Sequence, residues 1–143
     1  MSSSAVVSTL ADPHVRLTTL PSNIHTEDIN RQRYQAAVGS QMYAIIGTRP
    51  DISYTVSAVS QYSTNPGPVH WTAVRRIFGY LNGTRTLDLT YQSGYCGAYT
   101  DADWTGGEDR KSIGGYVFLI NGAAVSWASK KQTCVALSST EAE

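Results

Sequence analysis

The chain has 143 residues, of which 41% are hydrophobic and 15% charged, and its formal net charge is zero. That length suits one ordinary domain or two small incomplete ones, and the balance of apolar to charged residues argues against a disordered chain. Zero net charge removes any global positive field, so contact with nucleic acid would need local patches that neutralise phosphates.

Residues 1–30 are rich in Ser, Thr, Pro and Asp without sustained periodicity and read as an irregular or mobile leader. From Tyr34 to Ile46, the apolar residues Tyr34, Ala37, Val38, Met42, Ile45 and Ile46 recur at helical spacing, with Gly47 as a stop. Thr48-Arg49-Pro50-Asp51 reads as the next helix start, with Thr48 as cap, Pro50 in the first turn and Asp51 favoured by the helix dipole. Ile52, Val56 and Val59 then share a face. Asn65-Pro66-Gly67-Pro68 breaks the chain before a third helix, whose stripe is Trp71, Val74, Phe78 and Leu81 and whose end is Asn82-Gly83.

After Gly83 the period falls to two. Leu87, Leu89 and Tyr91 alternate with polar residues as a half-buried strand does, and further strands are expected at Gly97 to Trp104, Gly114 to Ile120 and Ala123 to Ser129. Asn121-Gly122 joins the last two as a hairpin, because both turn positions need positive φ. A helix begins at Ser138-Ser139-Thr140-Glu141-Ala142-Glu143. The expected class is α+β, a small helical unit followed by an antiparallel sheet.

Cys96 and Cys134 form no CxxC pair, so a reduced, intracellular protein is expected, cytoplasmic or nuclear. No apolar run approaches the roughly 20 residues that span a bilayer, and Met1 to Val7 lacks the basic segment of a signal peptide, so no membrane partner is expected. His14, His25, His70, Cys96 and Cys134 show no zinc-ligand spacing.

Three acids carry the candidate chemistry: Asp101 and Asp103 in a strand, and Glu141 in the first turn of a helix. Carboxylates that converge bind hard cations such as Mg²⁺ through oxygen, and a pair of ions roughly 3.5–4 Å apart can drive phosphodiester hydrolysis. The plainer readings are that the aspartates close a strand and that Glu141 completes a capping box with Ser138. Arg75 and Arg76, with His70 and Arg85 nearby, give the third helix a possible basic edge for phosphate; a solvated helix face is the alternative. Trp71 and Trp127 suit core packing better than base stacking.

The strings Tyr99-Thr100-Asp101-Ala102-Asp103-Trp104, Arg110-Lys111-Ser112, Gly115-Tyr116-Val117-Phe118 and Val125-Ser126-Trp127-Ala128-Ser129-Lys130-Lys131-Gln132 resemble copia-type retrotransposon ribonuclease H. So does Val135-Ala136-Leu137-Ser138-Ser139-Thr140-Glu141-Ala142-Glu143. Upstream, Val38-Gly39-Ser40, Met42-Tyr43, Gly47-Thr48-Arg49-Pro50-Asp51-Ile52, Asn65-Pro66-Gly67, His70-Trp71 and Tyr80-Leu81-Asn82-Gly83-Thr84 resemble the end of that family's reverse transcriptase.

The resemblance runs from about Tyr34 to Glu143. After the irregular leader of 1–30, it implies a thumb- or connection-like end of reverse transcriptase over 31–86 and the N-terminal half of a ribonuclease H-like domain over 87–143. It further implies Mg²⁺-dependent hydrolysis of RNA in RNA–DNA hybrids, with Asp101 and Glu141 as catalytic and metal-binding carboxylates. Asp103 and Glu143 become their neighbours. Arg75 and Arg76 would meet a hybrid or template–primer duplex, and the rest of the Pol polyprotein would be a partner. The family's later carboxylates would lie beyond Glu143, so this chain by itself is expected to be inactive. Tyr99-Thr100-Asp101-Ala102 lacks the second acid of a polymerase centre. The alternative is a non-catalytic module of retrotransposon origin that binds nucleic acid or protein.

Overall fold

The computed structural model describes residues 6–21, 30–103 and 110–143. The chain divides into two units, Met1–Leu87 and Asp88–Glu143, and its class is α+β.

In the first unit, α1 (Arg31–Gly47) starts where the Asn30 side chain accepts a hydrogen bond from the Arg33 N–H at 3.0 Å. That cap satisfies one of the orphan donors of the first turn, so the helix begins three residues before the apolar pattern does. A single 3₁₀ turn, Pro50–Ile52, leads into α2 (Ser53–Ser60). Thr48 is not the start of that helix. It closes α1, its N–H bonding to the Ala44 carbonyl. Helix α3 (Pro68–Gly83) is entered through the Gly67 N–H, which donates to His70 Nδ1 at 2.8 Å.

The core of this unit is Tyr34 and Val38 from α1, Ile52, Val56 and Val59 from the second segment, and Val74 and Ile77 from α3. On α1 the inward stripe is Tyr34, Val38 and Gln41, while Met42 is 49% and Ile46 78% exposed. The expected placement of Met42 and Ile46 on the buried face is therefore corrected. Gln41 takes the core position with its Nε2 donating to the Val74 carbonyl at 3.0 Å, which offsets part of the cost of burying an amide, while its Oε1 has no partner among the described residues.

Residues 6–21 form no helix or strand. They lie on the helices, with Leu10 and Leu17 against the core and the Leu17 carbonyl accepting from the Tyr62 hydroxyl at 3.0 Å.

In the second unit β1 (Gly97–Asp103), β2 (Ile113–Ile120) and β3 (Ala123–Lys131) form an antiparallel sheet in the order β1-β2-β3. Asn121 (φ 53) and Gly122 (φ 79) both take positive φ in the β2–β3 turn, as that dipeptide demands. A register shift falls between Phe118 and Leu119. The strand expected at Leu87, Leu89 and Tyr91 is absent. Among the described residues they have no ladder to join, and the segment is pinned to the hairpin instead. Gln92 N–H donates to the Asn121 carbonyl at 2.8 Å, and the Tyr91 hydroxyl donates to the Ala124 carbonyl at 3.0 Å. Trp104, expected at the end of β1, lies outside the described residues, as does His25. A short helix, α4 (Ser139–Ala142), lies against β1.

Candidate functional site

Asp101 stands in the middle of β1, exposed, opposite Gly115 of β2. A glycine partner presents no side chain, so nothing from β2 covers the carboxylate directly across the ladder. One of its oxygens accepts from the Ala102 N–H at 2.9 Å. Because side chains alternate along a strand, Asp103 projects to the same face, and it is also exposed.

Glu141 sits in the first turn of α4, where Ser138 Oγ accepts from its N–H at 3.2 Å and its own Oε2 accepts from the Leu137 N–H at 2.7 Å. The Ser138 bond satisfies a donor that the first turn leaves orphaned, which favours a helix start there, while the Glu141 carboxylate reaches back past the cap to hold the Leu137 N–H. Helix α4 is further tied by Gln132 Nε2, which donates to the Ala142 carbonyl at 2.6 Å. Asp101 and Glu141 are thus carried by neighbouring elements.

Among the described residues, no three of His, Cys, Asp and Glu gather as metal ligands. The donor chemistry nonetheless suits Mg²⁺. That ion is held by one or two carboxylates and completes its shell with water and phosphate oxygens. Asp101 and Glu141 each keep lone pairs beyond the single N–H they accept. Ser112 Oγ, just before β2, is buried and has no hydrogen-bond partner among the described residues.

The two arginines of α3 differ. Arg75 is exposed. Arg76 is engaged by the leader: its Nε donates to the Thr9 carbonyl at 3.1 Å, its Nη2 to Thr9 Oγ1 at 2.6 Å, and its Nη1 lies 3.7 Å from Asp12 Oδ2. His70, expected on the same basic edge, is buried instead. It stacks on Tyr62 with ring centroids 4.1 Å apart, and burial pushes its pKa down.

A further arginine escaped sequence reasoning. Arg49 is nearly buried and makes a two-point pair with Asp51, at 3.0 and 2.7 Å, while also donating to the Thr84 carbonyl and hydroxyl at 3.2 and 2.7 Å. Its guanidinium lies 5.6 Å from the centre of the Tyr80 ring. Burial by itself would raise the Asp51 pKa, but hydrogen bonds from Arg49 and Tyr80 outweigh it and hold the carboxyl below its ordinary range. The sequence signal was faint: two opposite charges flanking one proline, with the third partner 35 residues away.

Comparison with known proteins adds the lineage. Over 114 residues, 77% of this chain, it is 46% identical to the secreted RxLR effector protein 161 of Plasmopara viticola, and it covers 80% of that protein. All of the chain aligns, at 44% identity, with the retrovirus-related Pol polyprotein from transposon TNT 1-94 of Nicotiana tabacum. The Pol polyprotein from transposon RE2 of Arabidopsis thaliana is 43% identical over 77% of the chain. The chain is thus related to the Pol polyproteins of copia-type retrotransposons. It spans 11% of the tobacco polyprotein and 8% of the RE2 polyprotein. No family model and no solved structure matches this chain. No helix among its described residues is long and apolar enough to cross a membrane.

Proposed function

We propose that this chain joins the end of a reverse transcriptase (31–86) to the N-terminal half of a ribonuclease H-like domain (87–143), and that the complete domain hydrolyses RNA in RNA–DNA hybrids. The observation that carries the reading is the seating of α4 against β1, which sets the Glu141 helix beside the Asp101 strand. In the complete domain Asp101 and Glu141 would hold Mg²⁺, which activates water and stabilises the leaving oxygen. Within this chain, two carboxylates supply only part of that shell, so cleavage by 1–143 alone is expected to be negligible. Arg75 and Arg76 would contact the phosphates of the hybrid or template–primer duplex.

The test is to join this chain to the segment that follows the matched region in the tobacco polyprotein. The fusion should cut hybrid in Mg²⁺, and Asp101→Asn or Glu141→Gln should each lower the rate by about a hundredfold or more, the scale of removing a charge-stabilising group. A fusion that cuts equally well without either carboxylate defeats the assignment.

The second reading is a non-catalytic binding module. It is favoured by the short relative from Plasmopara viticola, whose length this chain nearly matches. Such a module would bind duplex, hybrid or single strand with an affinity that falls as salt rises, and Arg75→Ala would weaken it. Flat titrations with all three would remove its nucleic-acid form.

A further inference from the structure

The contacts of Arg76 are of a particular kind. Three oxygens of different chemistry surround one guanidinium: a carbonyl and a hydroxyl from Thr9, and a carboxylate from Asp12. A guanidinium that meets phosphate uses the same fork of N–H donors against a similar array of acceptor oxygens. Thr9 and Asp12 belong to a segment without helix or strand, and beneath that segment the packing is incomplete. An apolar cavity of about 310 Å³ lies between Leu10, Val15 and Leu17 of the leader and Val59, Val69 and Ala73 of the helices. Arg76 itself is part of its lining. The turn that presents Asp12 is local, with Asp12 Oδ1 accepting from the His14 N–H at 3.0 Å and the Asp12 carbonyl accepting from the Val15 N–H at 3.1 Å.

We propose that the leader is a built-in shield for the phosphate-binding face of α3: Thr9 and Asp12 occupy Arg76 as a phosphate would, and a duplex engages Arg76 only when they let go. This deepens the reading of Arg75 and Arg76 as phosphate contacts and rests on it. Arg75, exposed one position away, provides first contact. Arg76 is the second contact, withheld until the leader yields. The attachment is weak enough to yield, because solvent-accessible ion pairs contribute little and an underlying cavity forfeits dispersion contacts.

The test uses the full chain and an RNA–DNA hybrid as probe. Thr9→Val with Asp12→Asn removes the hydroxyl and the charge, while the asparagine retains an oxygen for the His14 turn. This variant should bind hybrid about two- to fivefold more tightly, as when one exposed ion pair stops competing. The slope of log K against log salt should steepen by about one, for one added phosphate contact. Both gains should vanish when Arg76→Ala is added, with the far-ultraviolet spectrum unchanged. Asp88→Asn, in the second unit, controls for the altered net charge. An equal gain in that control, or unchanged affinity and slope in the leader variant while Arg75→Ala still weakens binding, overturns the shield and leaves the phosphate reading standing. Absence of binding by every version at low salt overturns both.

Discussion

Burying an imidazole settles its tautomer. His70 Nδ1 accepts from the Gly67 N–H at 2.8 Å, so the ring proton must sit on Nε2, 3.0 Å from the Thr18 carbonyl. A protonated ring could no longer accept from Gly67, and among the described residues Tyr62 stacks on one side and the Thr18 carbonyl caps the edge. Desolvation accordingly lowers the His70 pKa below 6.5. In the unfolded chain His70 takes up a proton as pH falls through about 6.5, whereas the folded chain resists it to lower pH. Stability from this group is fully present above that value. It declines as pH falls below it, until the folded ring is itself protonated. His70→Phe keeps a ring against Tyr62 but cannot accept. It should cost about 1–3 kcal/mol at pH 8, for a buried donor left unpaired. Its chemical-denaturation midpoint should also lack the acid sensitivity that His70 should give the parent chain as pH falls below about 6.5. An equal acid loss in both proteins would assign the effect elsewhere. Asp51 acts in a lower window. Its depressed pKa means that its share of stability is lost only as pH falls below the ordinary carboxylate range.

At the scale of elements, what was legible depended on whether the governing partner lay nearby in the chain. Asn121-Gly122 announced its hairpin because the φ requirement is local, and Gly67-Pro68 announced α3 for the same reason. Leu87, Leu89 and Tyr91 had the alternation of a strand, but alternation specifies a face and not a ladder partner, and the described residues offer none. On α1 the hydrophobic count pointed one position astray, because Gln41 enters the core through a carbonyl 33 residues away. The candidate site was legible only in part. The residue types and the order of Asp101 and Glu141 are written in the sequence, and so is the Ser138 cap. That α4 rests on β1, and that Thr9 and Asp12 hold Arg76, depend on contacts between distant residues. A paired substitution tests the corrected register of the helices. Ile77→Ala, wholly buried in α3, should cost about 2–5 kcal/mol in urea denaturation, the range for emptying a core isoleucine site. Ile46→Ala, on the exposed flank of α1, should stay within about 0.5 kcal/mol of the parent. Equal losses would return Ile46 to the core.

The two units of the molecule are built on unequal cores. The helical unit buries Tyr34, Val38, Ile52, Val56, Val59, Val74 and Ile77. In the other, the fully buried apolar residues among those described are Ala123, Ala124, Ala136 and Ala142. Stabilisation by burial scales with apolar area, so alanines can contribute only a small part of what the isoleucines and valines do. The larger side chains of the sheet remain accessible: Phe118 is 47% and Ile120 50% exposed, and Tyr116 pairs with Phe118 at 5.4 Å between ring centroids on one face. Accessible aromatics on a sheet with open edges bind apolar dyes and favour self-association. Hydrogen exchange by the 143-residue chain should therefore protect the central amides of β2 less than those of α1 and α3, because sheet opening exposes little that was buried. Phe118→Thr should reduce dye binding and aggregation on heating while leaving the protection of α1 and α3 unchanged, since threonine keeps strand propensity and removes the ring. Protection in β2 equal to that in α3 would mean that the sheet draws stability from contacts larger than its four alanines can make.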